Sequence, residues 1–175
     1  MKKIFLAVIA LITLIACDKK ETVEGANVHI TGNVEGLSQG KLYLQKIEDT
    51  TLVIIDSIQI NGDSKFESHI KLDSPEMLYL ALDRGQTNSI DNSLPFFAEP
   101  GNITIETTLK HFFADAKVKG SKNHDLWIEF KKINDRFNDE NLVLMEKRLQ
   151  NELKPNPAST DSIETAYEKL LKRKY

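Results

Sequence analysis

Leu52-Val53-Ile54-Ile55-Asp56-Ser57-Ile58-Gln59-Ile60-Asn61-Gly62-Asp63-Ser64-Lys65-Phe66-Glu67-Ser68-His69-Ile70-Lys71-Leu72 reads as two strands around an Asn-Gly pair. The first half is rich in β-branched residues, which suit a pleated, half-buried surface. The second half alternates strictly. Phe66, Ser68, Ile70 and Leu72 share one face, and Glu67, His69 and Lys71 share the other. Asn61-Gly62-Asp63 predicts a tight hairpin, because Asn-Gly supplies the positive φ angles of a type I′ turn.

The same period extends on both sides. Val28, Ile30 and Val34 alternate with His29 and Thr31, and Leu42 and Leu44 follow a turn at Gly36–Gly40. Met77–Leu82, Leu94–Ala98, Ile103–Leu109 and Phe112–Val118 complete the series, with turn residues at Glu99-Pro100-Gly101-Asn102. About eight short strands at this spacing predict a mainly β fold, an antiparallel β-sandwich. After Gly120 the period becomes helical. Leu126, Phe130, Ile133 and Phe137, then Leu142, Met145, Leu149 and Leu153, recur as a stripe expected to be core, with Trp127 beside it; a partner-binding coiled-coil seam is the alternative, for which Trp127, Phe130 and Phe137 are bulky and irregular. Ser121 or Asn123 is the expected N-cap. Lys154-Pro155-Asn156-Pro157 stops this helix. A second, with Ile163, Tyr167, Leu170 and Leu171 as its stripe, completes a C-terminal helical hairpin.

The N-terminus has the parts of an export signal. Met1-Lys2-Lys3 is basic, Ile4 to Ala16 is uncharged and mostly apolar, and Asp18-Lys19-Lys20-Glu21 is polar again. Leu14-Ile15-Ala16-Cys17 is similar to a bacterial lipobox, in which the cysteine receives acyl chains. The expected organisation is a lipoprotein signal peptide at 1–16, a polar tether at 17–25, a β-sandwich at 26–119 and a helical extension at 120–175. Acyl chains on Cys17 would hold the protein to a membrane, at about 0.8 kcal/mol per buried methylene. Cys17 is the only cysteine in the sequence. Once acylated it leaves no thiolate for a disulfide, a redox pair or a zinc site.

The charge balance is 23 basic to 26 acidic side chains, which argues against a nucleic-acid partner. It changes along the chain. Asn27–Val118 holds 7 basic and 13 acidic residues, and Lys119–Tyr175 holds 12 and 10, so the sign changes where the period does.

The run His29-Ile30-Thr31-Gly32 with Gly36-Leu37, Lys41-Leu42-Tyr43-Leu44, Asp56-Ser57, Asn61-Gly62, Phe66, Pro75-Glu76-Met77, Pro95–Gly101, Ile103-Thr104-Ile105 and Val118–Ser121 resembles a β-rich envelope domain of unknown function. That domain often precedes a peroxiredoxin-like AhpC/TSA domain of thioredoxin fold in lipoproteins of diderm bacteria. The resemblance covers about residues 26–125 and implies a cell-envelope, outer-membrane setting. Asp18 after the cysteine would instead suit inner-membrane retention. No Cys-x-x-Cys is present, so thiol–disulfide chemistry does not carry over.

Candidate chemistry is sparse. Asp83-Arg84-Gly85 opens a polar loop that also holds Asp91, and loops on rigid β frames often carry sites. Phe96-Phe97 and Phe112-Phe113 place one ring on each face of a strand, so one of each pair needs cover by the helices or forms an exposed aromatic shelf. Asp83, Arg84 and Phe97 are therefore the candidate binding residues. His29 and His69 fall on outward faces and could meet across a sheet, although solvated strand histidines are the ordinary outcome. Asp49-Thr50-Thr51, Asp56-Ser57-Ile58 and Asp161-Ser162-Ile163 resemble an envelope O-glycosylation signal, with turn, strand and helix cap as the plain alternatives. No metal site, cofactor or catalytic set is expected, and no phosphate loop, nucleophile elbow or His-Glu-x-x-His motif occurs. The expectation is a non-enzymatic, lipid-anchored envelope module that binds a protein or glycan partner. The alternatives are the N-terminal portion of a redox lipoprotein lacking its thioredoxin-like domain, and a hydrolase built on the Asp83–Asp91 loop.

Overall fold

The computed structural model describes residues 24–85, 89–154, 157 and 159–174. The signal peptide, the lipobox with Cys17, and nearly all of the tether lie outside the described residues, as do Pro155 and Asn156 of the predicted helix stop.

Eight strands form two four-stranded sheets. They are β1 (Val28–Glu35), β2 (Gln39–Glu48), β3 (Thr51–Asn61), β4 (Lys65–Ile70), β5 (Glu76–Leu82), β6 (Ser93–Ala98), β7 (Gly101–Thr108) and β8 (Lys117–Lys119). One sheet has the order β4-β1-β7-β8 and the other β3-β2-β5-β6. The expected sandwich and its strand number are found. All pairs are antiparallel except β1 with β7, which run parallel in the centre of the first sheet.

The predicted hairpin at Asn61-Gly62 is not one. β3 pairs with β2, and β4 pairs with β1 in the opposite sheet, so the turn carries the chain from one layer to the other. A type I′ turn needs positive φ at both central residues. Gly62 has φ 89°, but the only non-glycine residue described with positive φ is Asp49, at 55°. Asn61 remains in the β2 ladder opposite Gln39. The Gly62 N–H donates to the Ser38 carbonyl, and the Val34 N–H donates to the Ser64 carbonyl, both crossing to the neighbouring β1–β2 turn. Asp49 instead sits in the genuine β2–β3 hairpin, so Asp49-Thr50-Thr51 is a turn.

Alternation fills the space between the sheets. Val28, Ile30, Leu42, Leu44, Leu78, Leu80, Phe96, Ile103 and Ile105 are essentially inaccessible. Each such side chain contributes about 1.5–3 kcal/mol relative to exposure. Gly32 occupies an inward position of β1 opposite Phe66, and a Cβ there would lie 2.6 Å from the Phe66 ring. The glycine makes room for that ring. Phe112–Val118 is not one strand. Residues 110–115 are turns, and only Lys117–Lys119 pairs, with β7. Phe112 is buried from within a turn, so it and Phe113 do not mark two faces of a strand.

Two antiparallel helices follow, α1 (Lys122–Glu152) and α2 (Asp161–Lys174). Ser121 caps α1, its side chain accepting from the His124 N–H. The expectation that the long-helix stripe is core is wrong. Leu126, Phe130, Ile133, Leu142, Met145 and Leu149 are 53–63% exposed, and Leu153 is more so. Two causes are visible. Only the start of α1 meets the sandwich, at β6 and β8, whereas its 31 residues reach about 46 Å. The stripe also breaks. At 100° per residue, Leu142 lies about 140° around the helix from Phe137. α2 covers the continuation of the first half-stripe, where Leu170 is buried and Arg173 pairs with Glu140. The second half-stripe is left facing out.

Candidate functional site

Asp83 and Arg84 follow the end of β5, while Phe97 pairs with Met77 at its beginning. Six residues of strand separate the two places, about 20 Å, so the three candidate residues do not form one site.

Asp83 serves a turn. Its carboxylate accepts the Gly85 N–H at 2.9 Å and the Tyr43 hydroxyl at 3.1 Å. The Gly85 N–H first, then the Tyr43 hydroxyl, hold this carboxyl below the usual range, while desolvation opposes them and the Lys41 charge adds to them. Arg84 donates to the Leu109 carbonyl. The open cleft beside it, about 620 Å³, is bordered by Glu35, Thr108, His111 and Asp115. Thr108 donates to Asp115 at 2.7 Å, and His111 lies 3.4 Å from the same carboxylate. The Thr108 hydroxyl foremost, and then the His111 charge, depress the Asp115 carboxyl against desolvation. Asp83, Arg84, Thr108 and Asp115 are each engaged by a neighbour that shapes a loop.

Phe97 lies where α1 joins the sandwich. Phe96 points into the core, and Phe97 meets the Trp127 ring edge-on at 6.3 Å, so the helix supplies the cover expected for it. Trp127 also packs against His124 at 5.4 Å. Glu99, just beyond β6, accepts from the Lys122 N–H and the Asn123 side-chain amide, tying the first turn of α1 to the β6–β7 turn. A carboxylate there also complements the positive end of the helix dipole.

Two groups are expected to make this junction acid-sensitive. Desolvation pushes the Glu99 carboxyl up, but the Asn123 amide and the Lys122, Asn123 and Ser121 donors outweigh it and hold it below 4.5. Burial pushes the His124 imidazole down from 6.5, only partly offset by Asp125, and its Nδ1 has no hydrogen-bond partner. Both shifts are depressions. Stability from His124 is complete above 6.5 and falls as pH drops towards its folded value, and that from Glu99 is lost below 4.5. Trp127 is the only tryptophan. Its fluorescence is expected to report release of the α1 start on acidification, beginning below about pH 6.5 and completing below 4.5. In Glu99→Gln the lower step should shrink.

The exposed face of α1 continues from this junction, and a groove of about 570 Å³ between α1 and α2 is lined by Leu144, Met145, Ile163 and Tyr167. Periodicity identifies Met145, Ile163 and Tyr167 as stripe positions but does not identify Leu144. His29 and His69, expected on outward faces, are direct partners across β1 and β4.

A family model described as "Domain of unknown function (DUF4369)" matches residues 28–127. No curated protein matches the chain. A crystal structure of (S)-allantoin synthase overlaps 55% of this chain and 44% of that one, with 9% identity and a TM-score of 0.33, a likeness that carries no argument. Among the described residues, no helix is long and apolar enough to cross a membrane.

Proposed function

The chain belongs to the DUF4369 family of domains of unknown function, and we propose that it is a lipid-anchored outer-membrane protein that binds a partner protein rather than catalysing a reaction. The observation that carries this reading is the outward apolar surface of α1, with Leu126 and Phe130 on one side of the helix and Leu142, Met145 and Leu149 on another, each more than half exposed. Apolar surface of this extent on a projecting helix is costly in water and marks interaction surfaces. Aliphatic and aromatic side chains at helical spacing suit a second protein better than a glycan. In the loop considered for a hydrolase, the Asp83 carboxylate is held by the Gly85 N–H and the Tyr43 hydroxyl. Anchoring rests on Leu14-Ile15-Ala16-Cys17, which places the acylated residue eleven positions before β1.

The test combines the two halves. A photo-crosslinker at Phe130, in detergent-solubilised envelope, is expected to give one discrete adduct that disappears when Leu126 and Leu142 are changed to Glu. No adduct, an adduct indifferent to those changes, or an adduct only with itself would defeat the partner reading. Cys17→Ala is expected to lose labelled lipid and leave the membrane fraction. If it is processed normally and stays membrane-bound, the anchoring reading is wrong.

A further inference from the structure

His29 and His69 face each other across β1 and β4 with Nδ1 to Nδ1 at 2.8 Å and ring planes 68° apart. We infer that this pair is a binding site for a divalent transition-metal ion of the copper(II) or nickel(II) class. Two metal–imidazole bonds of about 2.0 Å that span this separation enclose an angle near 90°. That is the angle between adjacent ligands in a tetragonal site, the geometry of copper(II) and nickel(II). Tetrahedral zinc would need the nitrogens about 3.3 Å apart, a further half ångström.

The frame already holds the pair in place. The flanking pairs Val28–Ile70 and Ile30–Ser68 have all four side chains buried, so the two histidine Cα atoms cannot separate without opening the core. β1 lies between β4 and β7, paired along both sides. Neutral imidazoles are good ligands for these ions, and with the ring proton of each histidine on Nε2 both Nδ1 lone pairs are free for the ion. Among the described residues no group of three or more His, Cys, Asp or Glu is placed to hold a metal. The chain therefore supplies two nitrogens, and water completes the shell. Glu67 shares the outward face two residues from His69. His111 and His124 lie elsewhere, the first beside Asp115 and the second against Trp127, and serve as internal controls.

The plain alternative is a hydrogen-bonded pair that takes no metal. The experiment uses the full chain in detergent, stripped with chelator and titrated with copper(II), nickel(II) or magnesium. One copper(II) per chain is expected, with paramagnetic resonance showing coupling to two equatorial nitrogens, and nickel(II) but not magnesium should raise the thermal midpoint. His29→Ala and His69→Ala, each checked for native circular dichroism, should lose one nitrogen coupling and bind at least about tenfold more weakly. His111→Ala should behave as wild type. Wild-type protein that ignores copper(II) and nickel(II), or both alanine variants binding like wild type, would overturn the inference.

Discussion

Phe96→Ala is expected to lower the unfolding free energy by about 3–5 kcal/mol, whereas Phe97→Ala one residue away should cost far less. Phe96 is fully buried, opposite Leu78, between the sheets. Its removal loses the transfer energy of the ring and leaves a cavity that a close-packed interior cannot fill. Domains of this kind have about 5–15 kcal/mol in total, so roughly a fifth or more of the stability is at stake. A sequence with one cysteine has no internal disulfide to compensate. Phe97 is on the other face and meets Trp127 edge-on, a contact worth about 0.5–1.5 kcal/mol beyond burial. Denaturant curves read by circular dichroism should show the large shift for Phe96 and a small one for Phe97. Tryptophan emission should change mainly for Phe97. The reverse order would mean that β6 is slipped by one residue, since a one-residue slip exchanges its faces.

That pair of rings also shows what the sequence could and could not reveal. Alternation assigned Phe96 and Phe97 to opposite faces without any knowledge of the fold, because a strand's side chains must alternate. Alternation does not say which sheet a strand joins. Asn61-Gly62 has the composition of a hairpin turn, yet the chain uses only the glycine's positive φ and crosses to the other layer. A turn residue encodes a local bend, and the partner of the next strand is decided by which edge can bury Phe66, Ser68 and Ile70. The parallel β1–β7 pair was equally hidden, since its strands are separated by most of the β-domain.

The helices failed for a different reason. Their existence and caps follow from period and from Ser121. Apolar residues at 3.6 spacing say only that something should cover them, not that the sandwich does. The sandwich reaches the first turns, α2 reaches one face, and Leu142, Met145 and Leu149 remain open. Asp-Arg-Gly signals a tight turn and a functional loop alike, and the hydrogen bonds of Asp83 build the turn. The histidine pair was half legible. Outward faces were readable, but the register that opposes position 29 to position 69 depends on the crossing at Gly62.

Gly120→Ala is the second substitution expected to act strongly, and it tests the joint between the two parts. Gly120 has φ 96°, outside the range that an L side chain adopts without strain, at about 1–3 kcal/mol. Space is also lacking. A Cβ would stand 2.0 Å from the Asn102 carbonyl oxygen and 3.1 Å from its carbon. Those are backbone atoms of β7, already held by β1, so β7 cannot yield cheaply. The strain is therefore expected to be relieved on the other side, by displacing Ser121 and the first turn of α1. Such a shift breaks the Ser121 cap, the Glu99 bonds and the Trp127–Phe97 contact together. The expected result is a loss of at least about 2 kcal/mol, with a red shift of Trp127 emission and faster amide exchange over residues 122–130. Exchange in β2 and β5 should change little, because neither pairs with β7. If Gly120→Ala keeps native emission and native exchange at 122–130, the left-handed junction is wrong. If the β-sheet amides lose protection to the same extent as the helix, the joint is not separable and α1 folds as part of the sandwich.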